Sequence, residues 1–136
     1  MKKKLTCVML VDDDKNDNFI HEREIKKASA ITDVITKNSG KNALDYLKSK
    51  KEDKDLLPDL IFLDINMPCM NGWEFLDEFS LLDKELQDEV IIVMLTSSNH
   101  EIDLEKFKEW SIVSDYLIKP LTKDKFEDIV KKYFNQ

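Results

Sequence analysis

The sequence predicts an α/β fold, a three-layer sandwich in which a five-stranded parallel sheet lies between layers formed by five helices. Three observations support this prediction. Apolar segments typical of strands alternate five times with segments of helical periodicity. Two of the apolar segments are uninterrupted, which indicates strands buried on both faces of a parallel sheet. No linker, repeat or low-complexity segment divides the chain, so we expect residues 1–136 to form one domain.

The five predicted strands share an apolar, β-branched or aromatic character. They cover residues 5–11, 33–36, 60–64, 90–96 and 114–120. The third segment, LIFLD, and the fourth, VIIVMLT, are the uninterrupted ones. Right-handed crossover connections between such strands place the intervening helices on the faces of the sheet.

Five helices are predicted from apolar residues that recur three or four positions apart. The last helix follows the i, i+3, i+4, i+7 pattern, and Thr122 is placed to cap its beginning. The stripe after Gly72 predicts one helix that reaches Leu82. The residues that define the five stripes are Ile20, Ile25 and Ala28; Leu44 and Leu47; Phe75, Leu76, Phe79 and Leu82; Leu104 and Phe107; and Phe126, Ile129, Val130 and Tyr133.

Composition and charge exclude several classes of protein. With 42% hydrophobic residues, 36% charged residues and a formal net charge of -7, the chain is typical of a globular domain, and neither direct nucleic-acid binding nor membrane-surface binding is expected. No apolar run approaches the ~20 residues that span a bilayer, and the lysine-rich start lacks the features of a signal peptide. Because Cys7 and Cys69 form no secreted-type disulfide framework, we expect a cytoplasmic location.

Polar residues follow four of the five predicted strands. Asp12 and Asp13 come directly after the first strand, Asp64 ends the third, Thr96 ends the fourth and Lys119 ends the fifth. In open parallel sheets, ligands bind outside the carboxyl ends of the strands, at the point where the strand order reverses. These five side chains are therefore the candidates for a functional site.

The three aspartates need a cation if all of them are to stay ionised. Two like charges ~4 Å apart repel by about 4 kcal/mol at an effective dielectric constant of about 20. A site that offers only oxygen ligands, without cysteine or histidine, favours a hard divalent ion, and a few carboxylates completed by water and phosphate suit Mg²⁺ better than Ca²⁺. The sequence therefore predicts a magnesium site that includes Asp12, Asp13 and Asp64.

Four motifs resemble those of the receiver domain of bacterial two-component response regulators. They are VDDD after strand one, FLDINMPCMNGWEFL around strand three, MLTSS at strand four and DYLIKP at strand five, and together they extend the resemblance over residues 5–134. Stand-alone, chemotaxis-regulator-like members are the most similar, including those of the phytochrome-associated type. The resemblance implies a flavodoxin-like fold with the strand order 2-1-3-4-5.

The resemblance also implies a role for each candidate residue. Asp64 would accept a phosphoryl group from a sensor histidine kinase or a phosphotransfer protein. Mg²⁺ would be held by Asp13, by Asp64 and by the backbone carbonyl of Asn66, with Asp12 acting through water. Lys119 would pair with the phosphoryl oxygens as a point charge.

A conformational switch is implied as well. Thr96 would move toward the phosphoryl group and Tyr116 would swing inward behind it, which would change the face formed by the helix before strand five, strand five and the last helix. That face would bind a downstream protein target or, in a homodimer, a second copy of a chain that is otherwise monomeric. Pro120 would follow a cis bond, and Asn66 and Ser98 occupy positions that tune the lifetime of the phosphoryl group.

The residues leave three other functions to be considered. A degenerate receiver would act only as a protein-interaction module, although it would normally have lost the aspartate, the threonine or the lysine. A Mg²⁺-dependent aspartyl phosphatase of the haloacid dehalogenase type would need an acid at the position of Asn66. A flavodoxin would need a phosphate-binding loop where the three aspartates stand. The receiver reading also implies that the chain is not a turnover enzyme.

Several polar residues near the site have simpler roles in this interpretation. Asp14 is predicted to cap the first helix, and Asp17 is predicted to be a solvated acid of that helix. His21 is predicted to be a partly buried structural histidine. Cys7 is expected to be inert inside a strand, and Cys69 to be an ordinary loop thiol.

Overall fold

The computed structural model describes residues 3–97 and 101–135, and its five parallel strands form one sheet in the order β2-β1-β3-β4-β5. Both the parallel pairing and the order agree with the predictions. Each predicted strand is present, with ends that differ by one or two residues. The strands are β1 Cys7–Val11, β2 Asp33–Lys37, β3 Leu60–Asp64, β4 Ile91–Thr96 and β5 Val113–Ile118.

Six α-helices connect the strands in the described part of the chain, where five were predicted. None of the described helices has both the length and the apolar character of a membrane span. A short 3₁₀ turn, Lys54–Leu56, precedes β3. The helices are α1 Lys15–Ala28, α2 Gly40–Ser49, α3 Gly72–Phe79, α4 Lys84–Glu89, α5 Glu101–Lys108 and α6 Lys123–Tyr133.

The extra helix arises because the segment between β3 and β4 is broken, so the prediction of one helix through Leu82 was wrong. Helix α3 ends at Phe79, and Leu82 packs against the core from the loop that separates α3 from α4. The side chain of Gln87 donates hydrogen bonds to the carbonyl oxygens of Ser80 and Leu82. The break leaves these carbonyl groups without helical N–H partners, and the side chain of Gln87 supplies the missing donors. The spacing of apolar residues contains no information about these hydrogen bonds.

The core consists of two hydrophobic clusters, one on each face of the sheet. Along β3, Ile61 and Leu63 belong to the cluster that includes residues of α2 and α3, whereas Leu60 and Phe62 belong to the cluster that includes residues of α6. All four side chains are fully buried. The ring centroid of Phe126 in α6 lies 6.3 Å from the ring centroid of Phe62. The uninterrupted apolar run therefore belongs to a strand covered on both faces, as predicted.

Two further features hold the ends of the helices near the carboxyl edge of the sheet. Asp14 caps α1 and Thr122 caps α6, as predicted, since each side chain accepts a backbone hydrogen bond from the first turn of its helix. Gly72 begins α3 so close to the end of β3 that an added Cβ would lie 2.9 Å from the Cα of Ile65 and 3.0 Å from the carbonyl oxygen of Asp64. This close approach requires glycine at residue 72.

Candidate functional site

The register of the sheet brings the predicted polar residues to one edge. Asp64 pairs with Leu95 across β3 and β4, and Thr96 pairs with Ile118 across β4 and β5, so that Lys119 follows directly. Asp12 extends β1 at the same edge, where its backbone N–H donates to the carbonyl oxygen of Lys37. The side chains of Asp12 and Asp64 are buried, with residue exposures of only 2% and 4%.

The three predicted metal ligands form one cluster of carboxylates. One carboxylate oxygen from each of Asp12, Asp13 and Asp64 lies within 4.8 Å of the others. Asp13 is exposed, so the cluster is open to solvent on one side. An all-oxygen donor set of this kind suits a hard cation such as Mg²⁺.

Lys119 provides a positive charge at the centre of this cluster. Its Nζ lies 2.8 Å from Oδ2 of Asp12, 3.0 Å from Oδ2 of Asp17 and 3.2 Å from Oδ1 of Asp64. An ammonium group has three N–H donors, and the three carboxylates can use all of them. Burial acts against the charged form, but the hydrogen bonds to Asp12 and Asp17 outweigh it, and the pKa of Lys119 is raised.

Asp17 was predicted to be a solvated helix acid, and that prediction was wrong. Its side chain is 34% exposed, and it forms an ion pair with Lys119 from the first turn of α1. The two residues are 102 positions apart in the chain, so local periodicity contains no signal for the contact. Only the expectation that α1 begins at the same sheet edge as Lys119 could have suggested it.

The surroundings of Asp64 disfavour the ionised form of its carboxyl group. Burial and the neighbouring charge of Asp12 raise the pKa of its carboxyl to about 6, even though Lys119 acts in the opposite direction. Three carboxylates, those of Asp12, Asp17 and Asp64, share one ammonium group, and the carboxylate of Asp13 adds a further negative charge beside Asp12 and Asp64. The cluster therefore holds excess negative charge that a divalent cation would neutralise.

Asp12 is fixed more firmly than the other two aspartates. Its Oδ1 accepts a hydrogen bond of 2.9 Å from the N–H of Asp14, and its backbone carbonyl accepts one of 3.0 Å from Nδ2 of Asn18. Asn18 is buried in α1, and sequence analysis did not identify it. It ties the end of β1 to the first turns of α1 and so positions the carboxylate of Asp12.

The remaining predicted residues lie around this cluster. Thr96 is buried at the end of β4, and its carbonyl oxygen accepts a 2.8 Å hydrogen bond from the N–H of Lys119, which precedes a cis bond to Pro120 as the resemblance implied. Asn66 is exposed in the loop after β3. The half-buried ring of Tyr116 meets that of Phe107 edge-on at 5.0 Å. Ser98 lies outside the described residues.

The other titratable candidates have structural environments. His21 is fully buried, more deeply than predicted, and burial lowers its pKa despite the nearby charge of Asp17. Cys7 is buried in β1, and burial raises the pKa of its thiol to about 11, which agrees with an inert residue. Cys69 is exposed in the loop between β3 and α3, with a φ angle of 68°.

Comparisons with known proteins agree with the fold. The chain matches the family model of the response regulator receiver domain over residues 8–131. A two-component response regulator from Cytophaga hutchinsonii has a similar structure, with a TM-score of 0.88 and 30% identity over 98% of this chain and 100% of that chain. The bacteriophytochrome response regulator RtBRR has a TM-score of 0.78 and 30% identity over 97% of this chain and 80% of that chain.

Similarity extends to a longer protein. The probable C4-dicarboxylate response regulator DctR from Halalkalibacterium halodurans is 27% identical over 97% of this chain and 53% of its own length. The chain thus spans about half the length of that relative. Because the family model covers most of the chain, the chain belongs to the receiver domain family of two-component response regulators, whose members are signalling modules of phosphorelays.

Proposed function

We propose that the chain is a phosphoacceptor that takes a phosphoryl group from a histidine kinase or a phosphotransfer protein onto Asp64 and thereby switches a protein-docking face. The observation that carries this proposal is the buried carboxylate of Asp64, which lies beside two further aspartates and 3.2 Å from the ammonium group of Lys119. Phosphoryl transfer depends mainly on positioning and on neutralisation of charge. The cluster has the groups for both.

The chemistry assigns a separate task to each side chain. An ionised oxygen of Asp64 attacks the phosphorus of a phosphohistidine, the P–N bond breaks, and the departing imidazole takes up a proton from solvent. With a pKa of about 6, Asp64 is mostly ionised at pH 7 and available as a nucleophile. Bound Mg²⁺, held by Asp12, Asp13, Asp64 and the carbonyl of Asn66, would neutralise charge on the phosphoryl oxygens.

Lys119 then changes partners. In this structure the ammonium group of Lys119 is shared among the carboxylates of Asp12, Asp17 and Asp64. A phosphoryl oxygen on Asp64 would replace carboxylate oxygens as its partner, with a charge-assisted hydrogen bond. Thr96 would donate a hydrogen bond to another phosphoryl oxygen, and Tyr116 would follow it inward. The α5–β5–α6 face, formed by Glu101–Lys108, Val113–Ile118 and Lys123–Tyr133, would change in consequence.

In this proposal residues 1–136 act as one receiver module that relays a signal without turning over a separate substrate. Its partners are the phosphoryl donor and a downstream protein that recognises the α5–β5–α6 face, with a second copy of the chain as the other possible occupant of that face. Neither nucleic acid nor a membrane is a direct partner in the proposal. The cytoplasmic location remains a prediction from the sequence, and the resemblance to phytochrome-associated receivers does not identify a kinase.

The alternatives have less support from the site. A degenerate receiver is disfavoured because Asp64 and Lys119 are in contact and Thr96 ends the neighbouring strand. An aspartyl phosphatase is disfavoured because residue 66 is an exposed asparagine, which cannot act as the second acid. Both alternatives predict no stable phosphoryl group on Asp64.

Intact-mass spectrometry tests the proposal directly. The protein is incubated with acetyl phosphate and Mg²⁺, beside a sample with a metal chelator, the variant Asp64→Asn and the matched surface variant Asp77→Asn on α3. We expect a Mg²⁺-dependent gain of one phosphoryl group in the wild type and in Asp77→Asn, and none in Asp64→Asn. Labelling of Asp64→Asn at the wild-type level would place the acceptor elsewhere. No gain in any sample, with a histidine kinase as donor as well, would leave a binding module.

A further inference from the structure

A large groove lies between α1 and α2, beside the outer edge of β2. This α1–α2 groove is lined by residues of α1 from Lys15 to Lys27, by Thr36 and Lys37 of β2, and by residues of α2 up to Ser49. Its volume is about 1240 Å³, and none of the aspartates of the metal cluster lines it. Sites for small molecules commonly measure roughly 300–1,000 Å³, so the groove is large enough for a segment of polymer.

The charge of the α1–α2 groove is opposite to that of the whole chain. Five basic and two acidic side chains line it, which gives a local charge of +3 in a chain of net charge -7. One of the acids, Asp45, is already paired with Lys41 outside the groove at 2.8 Å, and one of the bases, Lys27, is paired with Glu24 outside the groove at 2.6 Å. The basic residues are Lys15, Arg23, Lys26, Lys27 and Lys37, and the acidic residues are Glu22 and Asp45.

Two of these cations lie against aromatic rings. The guanidinium carbon of Arg23 is 5.7 Å from the ring centroid of Phe19 on α1, and Nζ of Lys37 is 4.7 Å from that of Tyr46 on α2. A cation over an aromatic face keeps its full charge and can still pair with an anion. The α1 wall and the β2 edge of the groove therefore each present a positive charge that packs against a ring.

The edge of β2 adds backbone hydrogen-bonding groups to the groove. Asp33 donates its N–H to Thr6, and Lys37 accepts at its carbonyl from Asp12, so both residues direct their backbone groups toward β1. Backbone groups alternate in direction along a strand, so Ile35 also faces β1, whereas Val34 and Thr36 direct theirs to the opposite side. Thr36 therefore turns its N–H and C=O into the groove, and no strand in the described part of the chain pairs with that edge.

We propose that the α1–α2 groove binds an extended acidic peptide segment, which adds as a strand to the edge of β2. The exposed N–H and C=O groups of the edge suit a peptide backbone, and the cations of α1 and of Lys37 suit carboxylate side chains. A polynucleotide suits the groove less well, because the net charge of -7 repels a long polyanion and nucleic acid has no backbone amides to pair with β2. The proposal is independent of phosphorylation at Asp64.

Fluorescence anisotropy with a labelled peptide tests the proposal. The probe is a decapeptide of alternating glutamate and threonine, compared with the same peptide carrying lysine in place of glutamate and with a labelled single-stranded oligoribonucleotide of ten residues. The test variant Arg23→Glu/Lys37→Glu reverses one charge on the α1 wall and one on the β2 edge of the groove. The control Lys84→Glu/Lys108→Glu makes the same change of net charge at two exposed lysines that do not line the groove.

We expect the wild type to bind the glutamate peptide, and the groove variant to raise the dissociation constant by about tenfold or more, since two attractive contacts become repulsive. The control should change it by less than about twofold, because remote charges are screened. Thr36→Pro removes the outward N–H without a change of charge and should also weaken binding. Circular dichroism and urea unfolding verify that each variant is folded.

Three outcomes would overturn the proposal. The first is failure of the wild type to bind the glutamate peptide, or equal binding of the lysine peptide. The second is an equal loss of affinity in the groove variant and the control, which would mean a long-range charge effect without a defined site. The third is tighter binding of the oligoribonucleotide, which would make the groove a nucleic-acid surface.

Discussion

Two aspartates at opposite ends of β3 have opposite environments. Asp59, just before the strand, accepts hydrogen bonds from the N–H and hydroxyl of Thr6 and from the N–H of Cys7, at 2.8 to 3.1 Å, and it pairs with Lys3. Burial alone would raise its pKa, but these donors lower it. Asp64, at the end of the strand, has a pKa raised to about 6.

The difference follows from the direction of the strands. At the amino edge of a parallel sheet, the strand ends offer N–H groups, and Asp59 receives two of them from β1 and the residue before it. At the carboxyl edge the strand ends offer carbonyl oxygens, such as those of Lys37 and Thr96, which cannot donate to a carboxylate. Acids at that edge need cations, and this need distinguishes Asp64, the proposed phosphoacceptor, from Asp59, whose charge is satisfied by hydrogen bonds and Lys3.

Removal of the Asp59 side chain should have the largest effect on stability. Asp59→Ala leaves two backbone N–H groups without their acceptor and removes one of the two acidic partners of Lys3, which keeps Glu89, so we expect the free energy of unfolding to fall by roughly 2–4 kcal/mol. Urea denaturation at pH 7 with a chelator measures this change. The exposed control Asp77→Ala should change stability by less than about 0.5 kcal/mol. Equal losses in the two variants would show that the hydrogen bonds to Asp59 do not stabilise the fold.

Removal of the negative charge of Asp64 should have the opposite effect and stabilise the fold. Its carboxyl has a pKa of about 6 in the folded protein and an ordinary value of 3.8, so its ionisation costs the folded state more than the unfolded state. We expect Asp64→Asn to raise the free energy of unfolding by roughly 1–3 kcal/mol at pH 8 without Mg²⁺, since the pKa of about 6 already includes the attraction of Lys119.

The pH dependence separates this effect from a simple change in packing. Well below pH 3.8 the carboxyl is protonated in both states, and the advantage of Asp64→Asn over the wild type should be absent. Between pH 4 and pH 6 the unfolded wild type loses its proton first, so the advantage should grow and then stay constant at higher pH. An advantage that does not vary from pH 4 to pH 8 would exclude the ionisation of Asp64 as its cause.

Loss of the Asp17 charge should have the smallest effect. Asp17→Asn removes one of three carboxylates around Lys119 at a position that is one-third exposed, and it relieves some repulsion within the cluster. Allowing for screening by solvent, we expect a loss of roughly 0.5–1 kcal/mol in urea denaturation without Mg²⁺. Asp45→Asn, which breaks the exposed pair with Lys41, is the matched control and should cost less. A larger loss in the control would mean that the contact of Asp17 with Lys119 does not stabilise the protein.

The sequence contained enough information for the sheet and for the residues at its carboxyl edge. Uninterrupted apolar runs indicated strands that are buried on both faces. Residues at the ends of parallel strands must meet at one edge of the sheet, whatever their separation in the chain. Asp12, Asp64 and Lys119 could therefore be grouped before their distances were known. The strand order came from family resemblance and not from periodicity.

The features that sequence analysis missed depend on contacts without a local pattern. Asp17 meets Lys119, and Asp59 meets Lys3 and Thr6, through pairs separated by 53 to 102 residues. The break between α3 and α4 depends on side-chain hydrogen bonds from Gln87, whereas the apolar spacing continues unchanged across it. Periodicity reports which face of an element is buried, and it does not report which polar groups find partners.

The most direct measurement is a titration of the two carboxyl carbons of Asp59 and Asp64 by carbon-detected NMR, in one sample of metal-free protein. We predict that Asp64 titrates near pH 6 and that Asp59 titrates below the ordinary range of aspartate. Equal pKa values, or a lower value for Asp64, would contradict the view that the carboxyl edge of the sheet holds a poorly neutralised, reactive acid.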